Sequence, residues 1–145
     1  MSIDDQGIRI GAIDRGTLTR VDAARILLDD GIETTSDVPT IGGVRGWRWA
    51  AYPGDLGEGV RIYGASSGRL DGVITHVDVD FPDFSLERTI VVSMPTDHGD
   101  SGSALIDSGG YVLGFLVGAS NLVASTLRLF SPVGLVLAQL DCNIL

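Results

Sequence analysis

Gly99-Asp100-Ser101-Gly102 places a hydroxyl where backbone amides can gather around it. Glycine permits positive φ and has no Cβ to block an approaching carbonyl. A tight turn built this way can aim the N–H groups of Gly99 and Ser101 at one point beside the Ser101 hydroxyl. That arrangement stabilises an oxyanion next to a nucleophile. The same four residues also suit a plain hairpin turn, with Asp and Ser as turn formers.

The flanks add information. Ser103-Ala104-Leu105-Ile106 leads into the turn Asp107-Ser108-Gly109-Gly110, and Tyr111–Gly118 then reads as a buried strand. This pattern, GDSGSALID followed by GYVLGFLVGAS, resembles the nucleophile region of trypsin-like (chymotrypsin-fold) serine peptidases. The resemblance puts the nucleophile at Ser101 and the oxyanion amides at Gly99 and Ser101. It makes Asp100 a structural carboxylate, turned inward to a charged or N–H partner. It places Pro95, six residues before Ser101, at the floor of the primary specificity pocket. Pro carries no charge, so the resemblance implies a small or apolar preference there. His98 falls at the mouth of that pocket. Val117, Gly118 and Ala119 resemble the strand edge that pairs with substrate backbone.

Upstream, Gly59–Ile74 contains a G-x-V…G-x-S-S-G…G-x-V pattern similar to the strands that open the second barrel of compact bacterial members. Val21-Asp22-Ala23-Ala24-Arg25-Ile26 resembles the segment carrying the triad carboxylate, which puts that role on Asp22. The match runs from about Ile8 to Leu140. The implied fold is all-β: a chymotrypsin-like second barrel, a truncated first barrel and a short C-terminal helix. Residues 1–52 are expected to form the partial first barrel, 53–59 the linker and 60–145 the second barrel.

One part of the family's apparatus has no match. Its general base is a His upstream of the triad Asp, and the 21 residues before Asp22 contain none. The chain has two His. His76 lies in Gly72–Asp80, where period two groups it with Ile74, Asp78 and Asp80 on an outer, wet face. His98 is a candidate replacement base, although its expected position is the pocket side of Ser101. Three readings follow. One is a serine peptidase domain or fragment that needs its His from outside these residues. Another is a non-catalytic pseudo-peptidase used for binding or scaffolding. A third is an unrelated barrel whose GDSG is only a turn.

Composition narrows the partners. The 145 residues suffice for one domain with a real core, and 44% are hydrophobic. Net charge is −9; all ten basic residues are Arg and most acidic residues are Asp. The negative field argues against nucleic acid or anionic membrane. The expected partners are a peptide or protein substrate, and a partner chain or second copy that completes the first barrel. No apolar run reaches the roughly 18 residues of a membrane span. Met1–Gln6 is polar and acidic, unlike a secretory leader, and the lone Cys142 excludes an internal disulfide. A cytoplasmic location is expected. Two His and one Cys, widely spaced, give no zinc set, and no cofactor or metal is expected.

Along the chain, strands are expected at Ile8–Ile13, Gly42–Trp49, Val60–Tyr63, Gly72–Val79, Leu86–Met94, Ala104–Asp107, Tyr111–Val117 and Thr126–Phe130, with Gly16 in a turn. Thr19–Asp30 is ambiguous. Thr19 with Asp22 and a later Gly31 suits a capped helix, whereas the resemblance favours a strand at Ala24–Leu28, the preferred reading. Ser131-Pro132 reads as N-cap and first residue of a helix ending near Leu140. Many short strands with Gly-rich turns imply a barrel.

Overall fold

The computed structural model describes residues 2–3, 7–50, 53–119 and 126–144. Three strands, β1 (Ser2–Ile3), β2 (Arg9–Thr17) and β3 (Ala23–Leu28), form an antiparallel sheet. The ambiguous segment is therefore a strand. Pairing decides it: β3 lies along β2 from Gly11↔Leu28 to Thr17↔Ala23. Gly16 is within this ladder, opposite Ala24, rather than in a turn. The connector holds a small ribbon, β4 (Asp37–Val38) with β5 (Gly42–Gly43), and then β6 (Gly46–Trp47). A single strand over Gly42–Trp49 is thus replaced by two short ones.

After a 3-10 turn at Pro53–Asp55 come β7 (Gly59–Gly64), β8 (Gly68–Phe81), β9 (Leu86–Ser93), β10 (Ala104–Asp107), β11 (Tyr111–Ala119) and β12 (Leu127–Pro132). The pairing order is β10-β7-β8-β9-β12-β11, and β10 also pairs with β11. Six strands therefore close into a ring, which removes the exposed edges of an open sheet. β6 adds to β11 in parallel outside that ring. The interior is filled by residues such as Ile62, Ile74, Ile90, Leu105, Leu113 and Phe130, all almost fully buried. Gly114 has no side chain because the β12 backbone at Ser131 occupies the space a Cβ would need.

The alternation expected for β8 holds only in part. His76, Asp78 and Asp80 are exposed as expected, but Ile74 is buried and Val73 is exposed. Register against β9 shifts between Ile74 and His76. A bulge of this kind exchanges the faces of the residues that follow it.

The chain closes with α1 (Val133–Leu140). Its cap differs from expectation. Ser131 is a buried strand residue paired with Phe115, and Pro132, with φ −66° and ψ 136°, holds the N-cap position. The ladder with β11 keeps Ser131 extended, so its hydroxyl cannot turn back to the helix. Val21, Leu135, Val136 and Leu140 form a second cluster that joins the N-terminal sheet to α1, with Trp49 packed against it. Trp49 lies against Gly134, where an added Cβ would overlap the indole ring. Alanine normally stabilises a helix over glycine by about 1 kcal/mol. Gly134→Ala is expected to do the opposite and cost about 1–3 kcal/mol through overpacking. Urea unfolding checks this; a gain in stability would show that Trp49 moves aside freely.

Candidate active site

Asp100 is completely buried, and its carboxylate organises the loop around Ser101. Oδ1 accepts the N–H groups of Ser66 and Ser67, each at 2.9 Å. Oδ2 accepts the Ser67 hydroxyl at 2.6 Å and the Asp97 N–H at 2.9 Å. Burial pushes the Asp100 carboxyl up, but these hydrogen bonds outweigh it and hold it below the usual carboxylate range. The expected inward turn of Asp100 is present, and its described partners are neutral donors. Gly64 makes room for it, since a Cβ there would overlap the carboxylate.

The loop is fastened at two further points. Ser66 Oγ donates to the His98 carbonyl at 2.6 Å, and Ser103 Oγ donates to the Asp100 carbonyl at 2.6 Å. The Gly102 N–H reaches the Leu116 carbonyl at 2.8 Å, which ties the loop to β11. Gly99 and Gly102 have φ of +95° and +89°, conformations that favour glycine. At Gly99 a Cβ would also overlap Ser66 Oγ. The amides on either side of Asp100 remain available: among the described residues, neither the Gly99 N–H nor the Ser101 N–H donates a hydrogen bond. The exposed Ser101 hydroxyl likewise has no hydrogen-bond partner among them.

Ser101 stands between two hollows. On one side is a cavity of about 580 Å3, whose lining includes Ser101, Asp22, Arg25, Phe115, Val136 and Leu140. On the other is a cleft of about 400 Å3, lined by Ser101, Thr96, Asp97, His98, Val117–Ala119 and Arg128 among others. Asp22 and Ser101 are thus brought to one space. Asp22 is held there by its neighbours. Val21 is fully buried, the Arg20 carbonyl accepts the Glu87 N–H at 2.9 Å, and Arg25 donates to the Leu140 carbonyl at 2.7 Å.

Neither His enters the Asp22 cavity. His98 lines the opposite cleft, and its N–H donates to Asp97 Oδ1 at 2.8 Å. His76 is exposed on β8, with its ring beside the Thr75 hydroxyl at 2.9 Å. Val117, Gly118 and Ala119 line the cleft, and past Leu116 the described part of β11 pairs with β12 alone. Pro95 is exposed and is not a lining residue of this cleft. Arg128 is, and the sequence reading missed it. Its signal was a lone charge in the apolar run Leu127–Phe130. The roles of Gly64, Ser66 and Ser67 were also missed, although they lie within the matched G-x-S-S-G pattern. Among the described residues no cluster of His, Cys, Asp and Glu is placed to hold a metal ion, and no helix is long and apolar enough to cross a membrane.

No family model matches the sequence, and no curated protein matches it. Solved structures do. Cellulomonas bogoriensis chymotrypsin superposes with a TM-score of 0.74 at 23% identity, over 93% of this chain and 75% of that one. The fold is that of the chymotrypsin-like serine proteases. Nocardiopsis protease matches with a TM-score of 0.70 at 22% identity, over 90% of this chain and 71% of that one. Thermobifida fusca protease A gives 0.70 at 19% identity, over 88% and 70%. In this chymotrypsin-like fold the six-stranded ring carries the Ser101 loop, and Asp22 comes from the N-terminal sheet.

The Asp100 network has a pH signature. A carboxyl lowered on folding binds its proton less readily in the folded state than in the unfolded one. Its stabilisation is complete above about pH 4 and is lost as pH falls through the lowered value. Asp100→Asn should cost about 2–3 kcal/mol at neutral pH, because an amide NH2 then faces buried N–H donors. It should also flatten the acid limb of the stability curve. Urea unfolding between about pH 2 and 7 tests both; an unchanged acid slope would remove Asp100 from the acid response.

Proposed function

We propose that this chain is a serine peptidase domain or fragment that cleaves peptide bonds through Ser101, with a His base supplied from outside these residues. The observation that carries the proposal is the Ser101 loop. Two amides without partners among the described residues flank a serine hydroxyl, and a buried carboxylate fixes the backbone between them. The likeness to solved bacterial serine proteases supports the same reading. In the proposed mechanism Ser101 Oγ attacks the scissile carbonyl and its proton passes to the incoming imidazole. Asp22 orients that imidazole, and the Gly99 and Ser101 amides hold the oxyanion. The imidazolium then protonates the leaving amine, and water releases the acyl group by the reverse proton path.

We read residues 1–52 as part of a first barrel, 53–59 as the linker and 60–145 as the second barrel. Ile13, Leu18 and Leu27 are 60%, 73% and 67% exposed on or beside β2 and β3, which supports a partner chain or second copy completing that first barrel. The alternative is a pseudo-peptidase that binds without cleaving. It is favoured by one observation, the absence of both His from the residues lining the Asp22 cavity.

Exogenous imidazole separates the two readings, because the cavity between Asp22 and Ser101 has room for a free base. General-base catalysis is worth about 100- to 10,000-fold. Fluorophosphonate labelling of the chain alone should be slow. Imidazole should accelerate it roughly tenfold, with the gain lost in Ser101→Ala and reduced in Asp22→Asn. Fast Ser101-dependent labelling without imidazole would locate a base inside the chain. No labelling under either condition would favour the pseudo-peptidase.

A further inference from the structure

The Gly99 and Ser101 N–H groups, the oxyanion donors of the proposed mechanism, belong to the 98–99 and 100–101 peptides. The carbonyl of each of these peptides accepts a serine hydroxyl. Ser66 Oγ donates to the His98 carbonyl at 2.6 Å, and Ser103 Oγ to the Asp100 carbonyl at 2.6 Å. Both peptides are trans. In a planar trans peptide C=O and N–H point opposite ways, so a bond that fixes the oxygen also fixes the direction of the N–H. The two bonds differ in origin. That of Ser103 reaches back three residues, a common local pattern, and the Ser103 N–H holds the same carbonyl at 3.1 Å. That of Ser66 comes from 32 positions upstream, and no local turn requires it. Ser66 is itself fixed to the loop, because its N–H donates to Asp100 Oδ1 at 2.9 Å. A Cβ at Gly99 would overlap Ser66 Oγ, so the missing side chain is what lets the hydroxyl in. Glycine also leaves the 98–99 peptide easy to rotate. Among the described residues neither the Gly99 N–H nor the His98 carbonyl has another hydrogen-bond partner that would stop it.

We propose that Ser66 and Ser103 are positioning residues for the oxyanion donors: their hydroxyls hold the 98–99 and 100–101 peptides in the orientation that offers both N–H groups to the attacked carbonyl. The proposal rests on the peptidase reading and names what aims its donors. The buried carboxylate does not aim them directly. Asp100 accepts the N–H groups of Ser66, Ser67 and Asp97, which belong to the 65–66, 66–67 and 96–97 peptides. Its hold on the 98–99 peptide passes through Ser66. Without that hydroxyl the peptide can turn over about Gly99 and present the His98 carbonyl in place of the N–H, and a carbonyl oxygen repels an oxyanion. The hydroxyls also act electronically. A proton on the carbonyl oxygen draws density along the amide and makes its N–H a stronger donor, by about 10–30% for each link of such a chain.

Two measurements on the whole chain test this. Fluorophosphonate labelling with imidazole reads the reactivity of Ser101, and amide NMR of the isotope-labelled chain reads the Gly99 and Ser101 peptides without any reaction. Deleting an oxyanion donor slows an enzyme about 100- to 1,000-fold, so loosening one in Ser66→Ala should slow labelling roughly tenfold. Ser103→Ala should slow it less, because the Ser103 N–H still holds the Asp100 carbonyl. In Ser66→Ala the Gly99 amide nitrogen should shift upfield, as its peptide loses the bond to its carbonyl, while the Ser101 amide stays in place. Ser66→Thr, which keeps a hydroxyl, should restore both the shift and the rate. Ser108→Ala, in the β10–β11 turn, should change neither. Circular dichroism checks that each variant folds. If Ser66→Ala does not fold, Ser66→Cys, with its weaker thiol donor, should show the same changes in smaller size. An unmoved Gly99 signal, a Ser66→Thr that behaves as Ser66→Ala does, or unchanged labelling in Ser66→Ala would overturn the proposal. Imidazole-dependent Ser101 labelling with an unmoved Gly99 amide sinks only the positioning role. A Gly99 amide that moves and is restored as stated, with Ser101 unreactive in the wild type, sinks only the peptidase reading.

Discussion

A carboxylate with no solvent exposure shapes the loop on which everything at the site depends. Such a charge persists only when it is hydrogen-bonded on all sides. Asp100 meets that demand with donors from two separate segments, the β7–β8 turn at Ser66 and Ser67 and the stretch before the loop at Asp97. Bringing both segments to one side chain leaves the loop little freedom. Gly64 yields its side-chain volume to the carboxylate, and Gly99 adopts a φ of +95° beside Ser66. Among the described residues the amides of Gly99 and Ser101 have no hydrogen-bond partner, because the loop's hydrogen bonds are made by its neighbours instead.

The barrel and the N-terminal sheet meet through a few polar clamps around apolar clusters. Arg48 reaches Asp55 at 2.8 Å, Asp107 at 2.6 Å and Glu58 at 2.5 Å, which locks the 53–59 segment to β10. Burial pushes the Arg48 guanidinium down, and its three carboxylates more than offset that. Arg20 bonds Glu87 beyond the β8–β9 turn, and Arg25 bonds the carbonyl end of α1. Between them lies Asp22. Its position is a property of the packed whole: Val21 is buried against α1, and of the two nearby arginines Arg20 is bonded to Glu87 of β9 and Arg25 to the end of α1.

Ser101, Leu116 and Val117 line both the Asp22 cavity and the Arg128 cleft. A serine on such a ridge can face a proton acceptor on one side and a substrate side chain on the other. The two spaces differ in chemistry. The first is walled by Phe115, Val136 and Leu140, which suits a desolvated ion pair or imidazole. The second holds Arg128, Thr96 and His98, which suits a polar guest.

The sequence alone indicated the main run of strands and the closing helix, and through the resemblance it gave the inward turn of Asp100. Period-two apolar runs between Gly-rich turns admit few other folds, and a Ser between glycines in that setting is a strong local signal. It also placed Asp22 and Ser101 in one space, although only through resemblance, since the two are 79 positions apart (101 − 22). What it left open or misjudged were features that depend on neighbours distant in the chain. Thr19–Asp30 has helix signals, and only the ladder with β2 makes it a strand. The bulge after Ile74 is set by β9, and Ser131 is kept from its capping role by β11. Arg128 lines the cleft and Pro95 does not, for the same reason. Which residue borders the cleft is decided by the β9–β12–β11 register and by the clamp from Thr96, and no local pattern encodes a contact across 32 positions.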